Sequence, residues 1–244
     1  MAESLEQKVA RLEKALQRTQ DVQEIQNVLS RHCFLDAQGL NREQVKEIWS
    51  QTMPDVSFIQ NDAAMIGLNQ ITHYYCDNWE QKLKPDYQRK IATLFPDISK
   101  EKAAALAGWM KMHTNCSPYI IVAGDGKTAK GTWESPGFVT DFVGKTLGAM
   151  WIWERFALDF IKEQGKWKIW HFNALVQFMT PYEKSWVTSA MDHEPIPERD
   201  HGAAVEPQRN FSYDPEIPCG SLSPNFPKQP VPYETFNETF SYGP

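Results

Sequence analysis

The chain has 244 residues, of which 41% are hydrophobic, and its formal net charge at neutral pH is -6. This size and composition suffice for a buried core, so we expect one domain with appendages rather than a small disulfide- or metal-dependent scaffold. The 25 basic residues are outnumbered by 31 acidic ones, which argues against a nucleic-acid partner.

The cysteines and the apolar segments indicate the compartment. The four cysteines form no C-x-x-C pair, and the N-terminus lacks the basic and then apolar layout of a signal peptide. No apolar run reaches the roughly 18 residues that a membrane-spanning helix needs. We therefore expect a reduced, cytoplasmic protein that makes no membrane contact.

The first predicted element is a long helix over residues 3–33. Leu5, Val9 and Leu12 begin an apolar stripe with helical spacing, and the stripe changes phase near Thr19. The change divides the helix into a charged front half, which could pack on a partner chain, and a rear half that packs on the core.

Helices also dominate the next section. We expect a helix over 41–50, a short strand at 56–59, a helix over 66–82 and an inserted helical segment at 85–110, with Pro85 as a break.

The sequence pattern of residues 112–179 is typical of β-strands. Strands are predicted at 112–123, 127–139, 147–163 and 166–179, with a connection between Gly137 and Gly144. Short links imply an antiparallel, strongly curved meander. The expected class is therefore α+β, with helices covering one face of the sheet in a domain of residues 1–190.

Residues 191–244 form a separate region that is rich in proline and aromatic residues. Proline alone would favour disorder. The region nevertheless carries seven rings: Phe211, Tyr213, Phe226, Tyr233, Phe236, Phe240 and Tyr242. We interpret it as an extended arm that lies on a neighbouring subunit or over the pocket.

The strand that begins near His113 is the most informative for chemistry. On an extended chain His113, Asn115, Ser117 and Tyr119 share one face. A histidine in such a row becomes a general base when a carboxylate orients it.

Four segments carry a family resemblance: Leu5 to Glu13, Ile25 to Asp36, His113 to Asp125, and the turn Gly165 to Ile169. They resemble SnoaL-like proteins of the NTF2-like superfamily, whose members include scytalone dehydratase, bile acid 7α-dehydratase and a diarylpropane lyase. The resemblance implies a cone-shaped α+β barrel around one deep pocket, and enzymes that use no metal or organic cofactor.

The resemblance also implies a catalytic pair of Asp36 and His113, in which Asp36 fixes the tautomer of the imidazole. Arg31 stands where the dehydratases commonly have a tyrosine, and Ser117 where they often have an asparagine. Arg31, the adjacent His32 and Ser117 are therefore candidate substrate-binding residues. Alternatively, Asp36 and His113 are structural residues satisfied by the backbone, and Arg31 or His32 faces solvent.

A candidate for holding an anionic substrate group is Arg155. It shares strand parity with Trp151 and Trp153, so it could point into an aromatic pocket, and Glu154 would then face outward. The alternative is a surface arginine paired with a neighbouring acid. Trp133 and the other sheet rings favour a broad aromatic ligand, although core packing explains each ring as well.

The remaining candidates are polar groups near the expected pocket. His171, which shares a strand face with Asn173, could supply a second imidazole, or it could be a core histidine. Tyr74, Tyr75 and Tyr119 are phenols that could donate to an oxyanion, or packing residues.

Taken together, these residues predict a cofactor-independent lyase that acts on a hydroxylated aromatic or polycyclic small molecule, with loss of water as the expected outcome. A second hypothesis is retro-aldol release of formaldehyde from a lignin-derived diarylpropane-type diol. A third is a ligand carrier or structural subunit without chemistry. No metal site is predicted, and a homo-oligomer is expected, with dimer and trimer both open.

Overall fold

The structure is a computed structural model that describes residues 3–60, 63–143, 146–188, 213, 216, 228–237 and 242. Its helices are α1 (Leu5–Ala37), α2 (Asn41–Ile48), α3 (Leu68–Thr72), α4 (Lys84–Leu94) and α5 (Lys100–Ala104). Its strands are β1 (Ser57–Gln60), β2 (Ala63–Ile66), β3 (Lys111–His113), β4 (Cys116–Val122), β5 (Thr128–Val143), β6 (Thr146–Glu163) and β7 (Lys166–Pro181).

Helix α1 has the two halves that the sequence predicts. Ser4 caps it in a capping box with Gln7, which satisfies orphan backbone donors of the first turn. The front half is exposed, with Leu12 at 59%. From Asp21 onward the helix buries one side and contacts β3, β4 and β7. A partner chain on the front half stays a prediction.

The sheet confirms the α+β class and corrects its details. Its order is β2-β1-β7-β6-β5-β3, and β4 also pairs with β5. The β5-β6-β7 meander is antiparallel, but β1 pairs with β7 in parallel, so a wholly antiparallel sheet is wrong. The chain reaches β1 from the helical section rather than through a hairpin, which permits the parallel pairing. Within the described residues the sheet does not close into a barrel.

The expected break at Pro85 is also wrong. Two π-helical turns, His73–Asp77 and Trp79–Leu83, connect α3 to α4, and Pro85 lies in the first turn of α4. A proline is tolerated there because its missing N–H and its fixed φ are compatible with the first turn of an α-helix. The chain therefore stays helical from residue 68 to 94.

The predicted strand at 112–123 is two strands. The register shifts between Cys116 and Tyr119, and Ser117 has a φ of 51°, a left-handed conformation that interrupts strand alternation. In addition, β3 ends at His113 and β4 begins only at Cys116. The face that His113 was expected to share with Asn115, Ser117 and Tyr119 therefore does not continue past His113.

Gly137 lies within β5 and not in a connection, because β5 extends to Val143. A Cβ atom at Gly137 would lie 2.4 Å from the carbonyl oxygen of Met112 on β3. Only glycine allows β3 to approach β5 this closely.

The main hydrophobic core lies between the helices and one face of the sheet. Its fully buried members include Leu29 of α1, Trp49 after α2, and Phe172 of β7. A second cluster around Ile91 and Phe142 joins α4 and α5 to the end of β5. Among the described residues no helix is long and apolar enough to cross a membrane.

Part of the C-terminal arm packs on its own chain. The backbone N–H groups of Gly124 and Asp125 donate to the carbonyl oxygens of Tyr233 and Glu234, at 2.9 and 3.0 Å. The Phe236 ring lies 4.7 Å from that of Trp170. Residues 228–237 therefore contact their own chain, and a contact between the arm and a neighbouring subunit stays a prediction. The expected arm rings Phe211, Phe226 and Phe240 lie outside the described residues.

We predict that Asp21 fixes α1 to the sheet. Its Oδ1 atom accepts hydrogen bonds from Lys162 Nζ at 2.6 Å and Trp167 Nε1 at 3.0 Å. Asp21→Ala should lower the free energy of unfolding by about 2–4 kcal/mol, because buried donors lose a charged acceptor. Chemical denaturation measures this, and the exposed Glu13→Ala should change it by less than about 0.5 kcal/mol. Equal effects of the two variants would contradict the assignment.

Candidate active site

His113 lies at the end of edge strand β3, and its partner is Glu154 on β6. The distance between His113 Nδ1 and Glu154 Oε2 is 2.9 Å, and the two side chains are 14% and 3% exposed. The pair is an ion pair by distance, although the ring nitrogen lacks ideal hydrogen-bond geometry.

The imidazole reaches Glu154 across β5. His113 pairs with Gly137 on β5, and Gly137 pairs with Ile152 on β6. A Cβ atom at Gly137 would lie 3.5 Å from His113 Nδ1. The absence of a side chain at Gly137 therefore leaves room for the ring to lie over the backbone of β5.

Glu154 and Arg155 lie on the opposite faces of β6 from those that the sequence predicted. Glu154 is 2% exposed and lies between Ile152 and Phe156 on the buried face, so the expectation that it faces outward is wrong. Period-two alternation separates the two faces of a strand but does not say which one is buried. The sequence analysis took the side of Trp151 and Trp153 to be the pocket side of β6, and the structure buries the other side.

Arg155 consequently lies on the opposite face and not in an aromatic pocket. Its Nε atom donates to Glu134 Oε1 at 2.8 Å, and Trp153 Nε1 donates to Glu134 Oε2 at 3.1 Å. This is the alternative interpretation, an arginine paired with a neighbouring acid. Trp151 is on this face too, stacked on Tyr182 with a centroid distance of 5.8 Å.

Asp36 is near His113 but binds Lys111. The Lys111 ammonium lies 2.8 Å from Asp36 Oδ1 and 2.7 Å from Oδ2. Within the described residues no hydrogen bond or ion pair joins Asp36 to His113, so the expected pair is corrected: the carboxylate partner of the imidazole is Glu154. Lys111 and His113 are two residues apart on β3, so they share a face, while Met112 between them is exposed.

The charges of this cluster shift the ionisation of both central groups. Burial opposes the His113 imidazolium, but the charge and contact of Glu154 outweigh it, and the pKa of His113 is raised above its ordinary value. For Asp36, burial opposes the carboxylate, and the charge of Lys111 outweighs it, so its pKa is lowered.

His32 is a core residue, and its imidazole is neutral at neutral pH. Burial lowers the pKa of His32 to about 4. Its ring makes edge contacts with Trp49, Tyr75 and Phe172, at centroid distances of 5.2 to 6.1 Å. Arg31, the neighbouring candidate, lies on the exposed side of α1 and pairs with Glu47 at 3.3 Å, in agreement with the alternative that it faces solvent.

The other predicted substrate-binding residues divide into buried and exposed groups. Tyr74 is buried and donates to Gln60 Oε1 at 3.0 Å, and Tyr75 packs in the ring cluster of the core. Trp133 is 2% exposed on the helix-facing side. Tyr119 and Ser117 are exposed. Their substrate-binding roles stay predictions.

The second imidazole is far from this cluster in the fold. His171 lies on the sheet face opposite α1, where its Nδ1 atom is 2.8 Å from Asp159 Oδ2, and both side chains are fully buried. Asn173 is buried on the same strand. The structure therefore supports the alternative interpretation of His171 as a core histidine, and an acid-base pair with His113 is wrong.

The sequence interpretation missed Glu154 as a partner and Lys111 altogether. One signal was present, since Lys111 has the same strand parity as His113. Glu154 was another, because it lies between the apolar residues Trp153 and Phe156 in a run that has only Arg155 and Asp159 as other charged members, and a buried carboxylate needs a partner.

Comparison with known proteins assigns the family. The family model of the SnoaL-like domain matches residues 17–173. The chain belongs to this SnoaL-like family. The match contains Asp36, Lys111, His113 and Glu154, so the whole cluster lies inside the SnoaL-like domain. No curated protein sequence matches the chain.

Several solved structures are similar to this SnoaL-like chain. The hexachlorocyclohexane dehydrochlorinase LinA-type3 of Novosphingobium barchaimii LL02 is 12% identical, with 70% of this chain and 96% of that chain covered and a TM-score of 0.49. A proposed scytalone dehydratase of Novosphingobium aromaticivorans DSM 12444 is 11% identical, with coverage of 75% and 98% and a TM-score of 0.45. An NTF2-like superfamily protein of Salmonella enterica serovar Typhimurium LT2 is 14% identical, with coverage of 64% and 91% and a TM-score of 0.44. None of these likenesses assigns a reaction to this chain.

We predict that the pair of His113 and Glu154 makes stability depend on pH. Because the pKa of His113 is raised in the folded state, the pair stabilises fully below the ordinary histidine pKa of about 6.5. That contribution is lost as the pH rises through the raised pKa. Glu154→Gln should therefore reduce the free energy of unfolding more at about pH 6 than at about pH 9, as measured by chemical denaturation.

The control is Glu183→Gln, since Glu183 is exposed. It should show no such pH dependence. A loss in Glu154→Gln that is equal at both pH values would contradict the ion pair.

Proposed function

We propose that this protein is a cofactor-independent lyase in which His113 is the general base, and that it eliminates water from a hydroxylated aromatic or polycyclic small molecule. The observation that carries the proposal is the buried pair of His113 and Glu154, next to the second pair of Lys111 and Asp36. Membership of the SnoaL-like family supports it.

The pair suits proton transfer. A carboxylate at Nδ1 favours the tautomer with the proton on that nitrogen and leaves Nε2 free to accept one. Glu154 then stabilises the imidazolium that forms. In the elimination a C–H bond breaks as His113 takes the proton, a double bond forms, and the C–O bond breaks. The imidazolium returns the proton to the leaving hydroxyl group, so water leaves and His113 is regenerated.

The rings around the pair support a flat, apolar substrate. The Phe156 ring lies 6.3 Å from the imidazole and 4.9 Å from the Phe172 ring, which it meets edge-on. Both rings belong to the buried core, and a planar ligand that enters beside them would gain large apolar contact area, while a few polar groups would fix its orientation.

The first test is a screen of hydroxylated aromatic and steroid-like compounds, with products identified by mass spectrometry. Wild-type protein should convert a compound with loss of water, and His113→Ala should reduce kcat/KM by about 100- to 10,000-fold, the usual contribution of a general base. His73→Ala, on the partly exposed helix side, is the matched control and should keep activity.

Other outcomes would decide against dehydration. Loss of formaldehyde would favour the retro-aldol lyase. Full activity in a folded His113→Ala variant would remove His113 from the mechanism. Tight binding without conversion of any compound would favour a carrier.

The second test is the pH dependence of kcat/KM for a substrate found in that screen. A base must be deprotonated to act, so the rate should rise with pH through an apparent pKa above about 6.5, because Glu154 raises the pKa of His113. Glu154→Gln should shift this apparent pKa downward and lower the plateau. An unchanged profile would contradict the positioning role of Glu154.

A further inference from the structure

We infer that Lys111 binds the negatively charged oxygen of the substrate, a phenolate or an enolate, beside the general base. The inference rests on the proposed function of the same site and names the chemical class that the site accepts. It also replaces Arg155, which the sequence suggested for this task and which faces the other side of the sheet.

The position of Lys111 places a cation next to the base. Lys111 and His113 are the first and last residues of the three-residue strand β3. Residues two apart on a strand project on the same side, so the ammonium and the imidazole both lie on the buried side of β3, over α1. A substrate whose C–H group contacts His113 therefore presents its neighbouring oxygen toward Lys111.

The ammonium retains capacity for a further acceptor. It has three N–H donors, of which one donates to Asp36 Oδ1 at 2.8 Å, and Asp36 Oδ2 lies 2.7 Å away in the same ion pair. The Lys111 side chain is 27% exposed, against 9% for Asp36. The lysine side chain is thus the more accessible member of the pair.

The charges of the four clustered side chains make Lys111 the group that can attract an anionic oxygen. With His113 neutral, as a base must be, the carboxylates of Asp36 and Glu154 outnumber the single cation Lys111 in this cluster. An anionic oxygen would be repelled by both carboxylates, and among the four groups only Lys111 attracts it. Arg31 cannot replace it, since it pairs with Glu47 on the exposed side of α1. Charge that develops on an oxygen beside a partly buried ammonium is stabilised strongly.

In this arrangement Asp36 does not orient His113, which is the role that the family resemblance implied. It fixes the ammonium in position, because both of its carboxylate oxygens lie within 2.8 Å of Lys111 Nζ. Asp36 is thus a positioning residue for Lys111, and Glu154 is the positioning residue for His113. The site thus consists of two pairs: Glu154 with the base His113, and Asp36 with the anion-binding Lys111.

The experiment measures binding, without turnover, of 4-nitrophenol, whose ionised form has its own absorption band. Wild-type protein should bind the phenolate in preference to the phenol, so the apparent pKa of the bound probe falls below that of the free probe. 4-Nitrotoluene, which has similar shape and no ionisable group, reports the apolar part of binding.

The informative variant is the double change Lys111→Met with Asp36→Asn, because it leaves no uncompensated buried carboxylate. It should weaken phenolate binding by about tenfold or more, the size of effect of one charge-assisted hydrogen bond, and leave 4-nitrotoluene binding unchanged. Lys111→Arg should retain most of the preference for phenolate. Lys46→Met, on an exposed position of α2, is the control and should match wild type.

Two results would overturn the inference. One is a wild-type protein that does not bind 4-nitrophenolate in preference to the phenol. The other is a folded double variant with the phenolate affinity of wild type. Because no conversion is needed, failure of the dehydratase screen leaves this binding result standing, and failure of the binding test leaves the role of His113 standing.

Discussion

The close approach of β3 to β5 at Gly137 is the constraint on which the candidate site depends. β3 is a three-residue edge strand, and any side chain at Gly137 would collide with the carbonyl oxygen of Met112. At this short distance His113 crosses the backbone of β5 and reaches Glu154 on β6. The buried carboxylate in turn obtains a partner, without which its burial would cost several kcal/mol.

The second pair connects the two layers of the fold. Asp36 lies near the end of α1 and Lys111 begins β3, so their ion pair joins the helix layer to the edge of the sheet. At the other end of the sheet-facing half of α1, Asp21 binds Lys162 and Trp167 of the β6-β7 hairpin. Buried ion pairs are weak sources of net stability, but breaking one is costly. These two contacts therefore define where α1 lies on the sheet more than they add to its stability.

Part of the opposite face of the sheet is polar, and residues 228–237 of the arm pack on it. Lys130, Asp159 and His171 are neighbours on adjacent strands, and the Lys130 ammonium lies 4.9 Å from the Tyr233 ring centroid and 5.1 Å from that of Phe236. Rings over a cation gain attraction from their quadrupoles. Two of the arm rings that the sequence analysis singled out, Tyr233 and Phe236, thus pack on the face of their own sheet that is opposite to His113.

The sequence by itself determined the elements with long, regular patterns and the family. The helical period gave α1 and its two halves, strand alternation gave β6 and β7 within a few residues, and the segments around Asp36 and His113 gave the SnoaL-like resemblance. These features depend on local periodicity and on short motifs, which the linear chain displays directly. His113 could be chosen as the candidate base for the same reason.

Only the tertiary structure decided the partners. Alternation separates Glu154 from Arg155 but does not say which of them is buried, and the packing of α1 on one face settles that question. The break between β3 and β4, the π turns before Pro85 and the parallel pairing of β1 with β7 also depend on contacts between residues distant in sequence. Asp36 and Lys111 are brought together by helix-on-sheet packing across 75 positions of the chain. Hydrogen bonds and ion pairs are short-range interactions, so their partners follow from proximity in the folded chain, which sequence spacing does not fix.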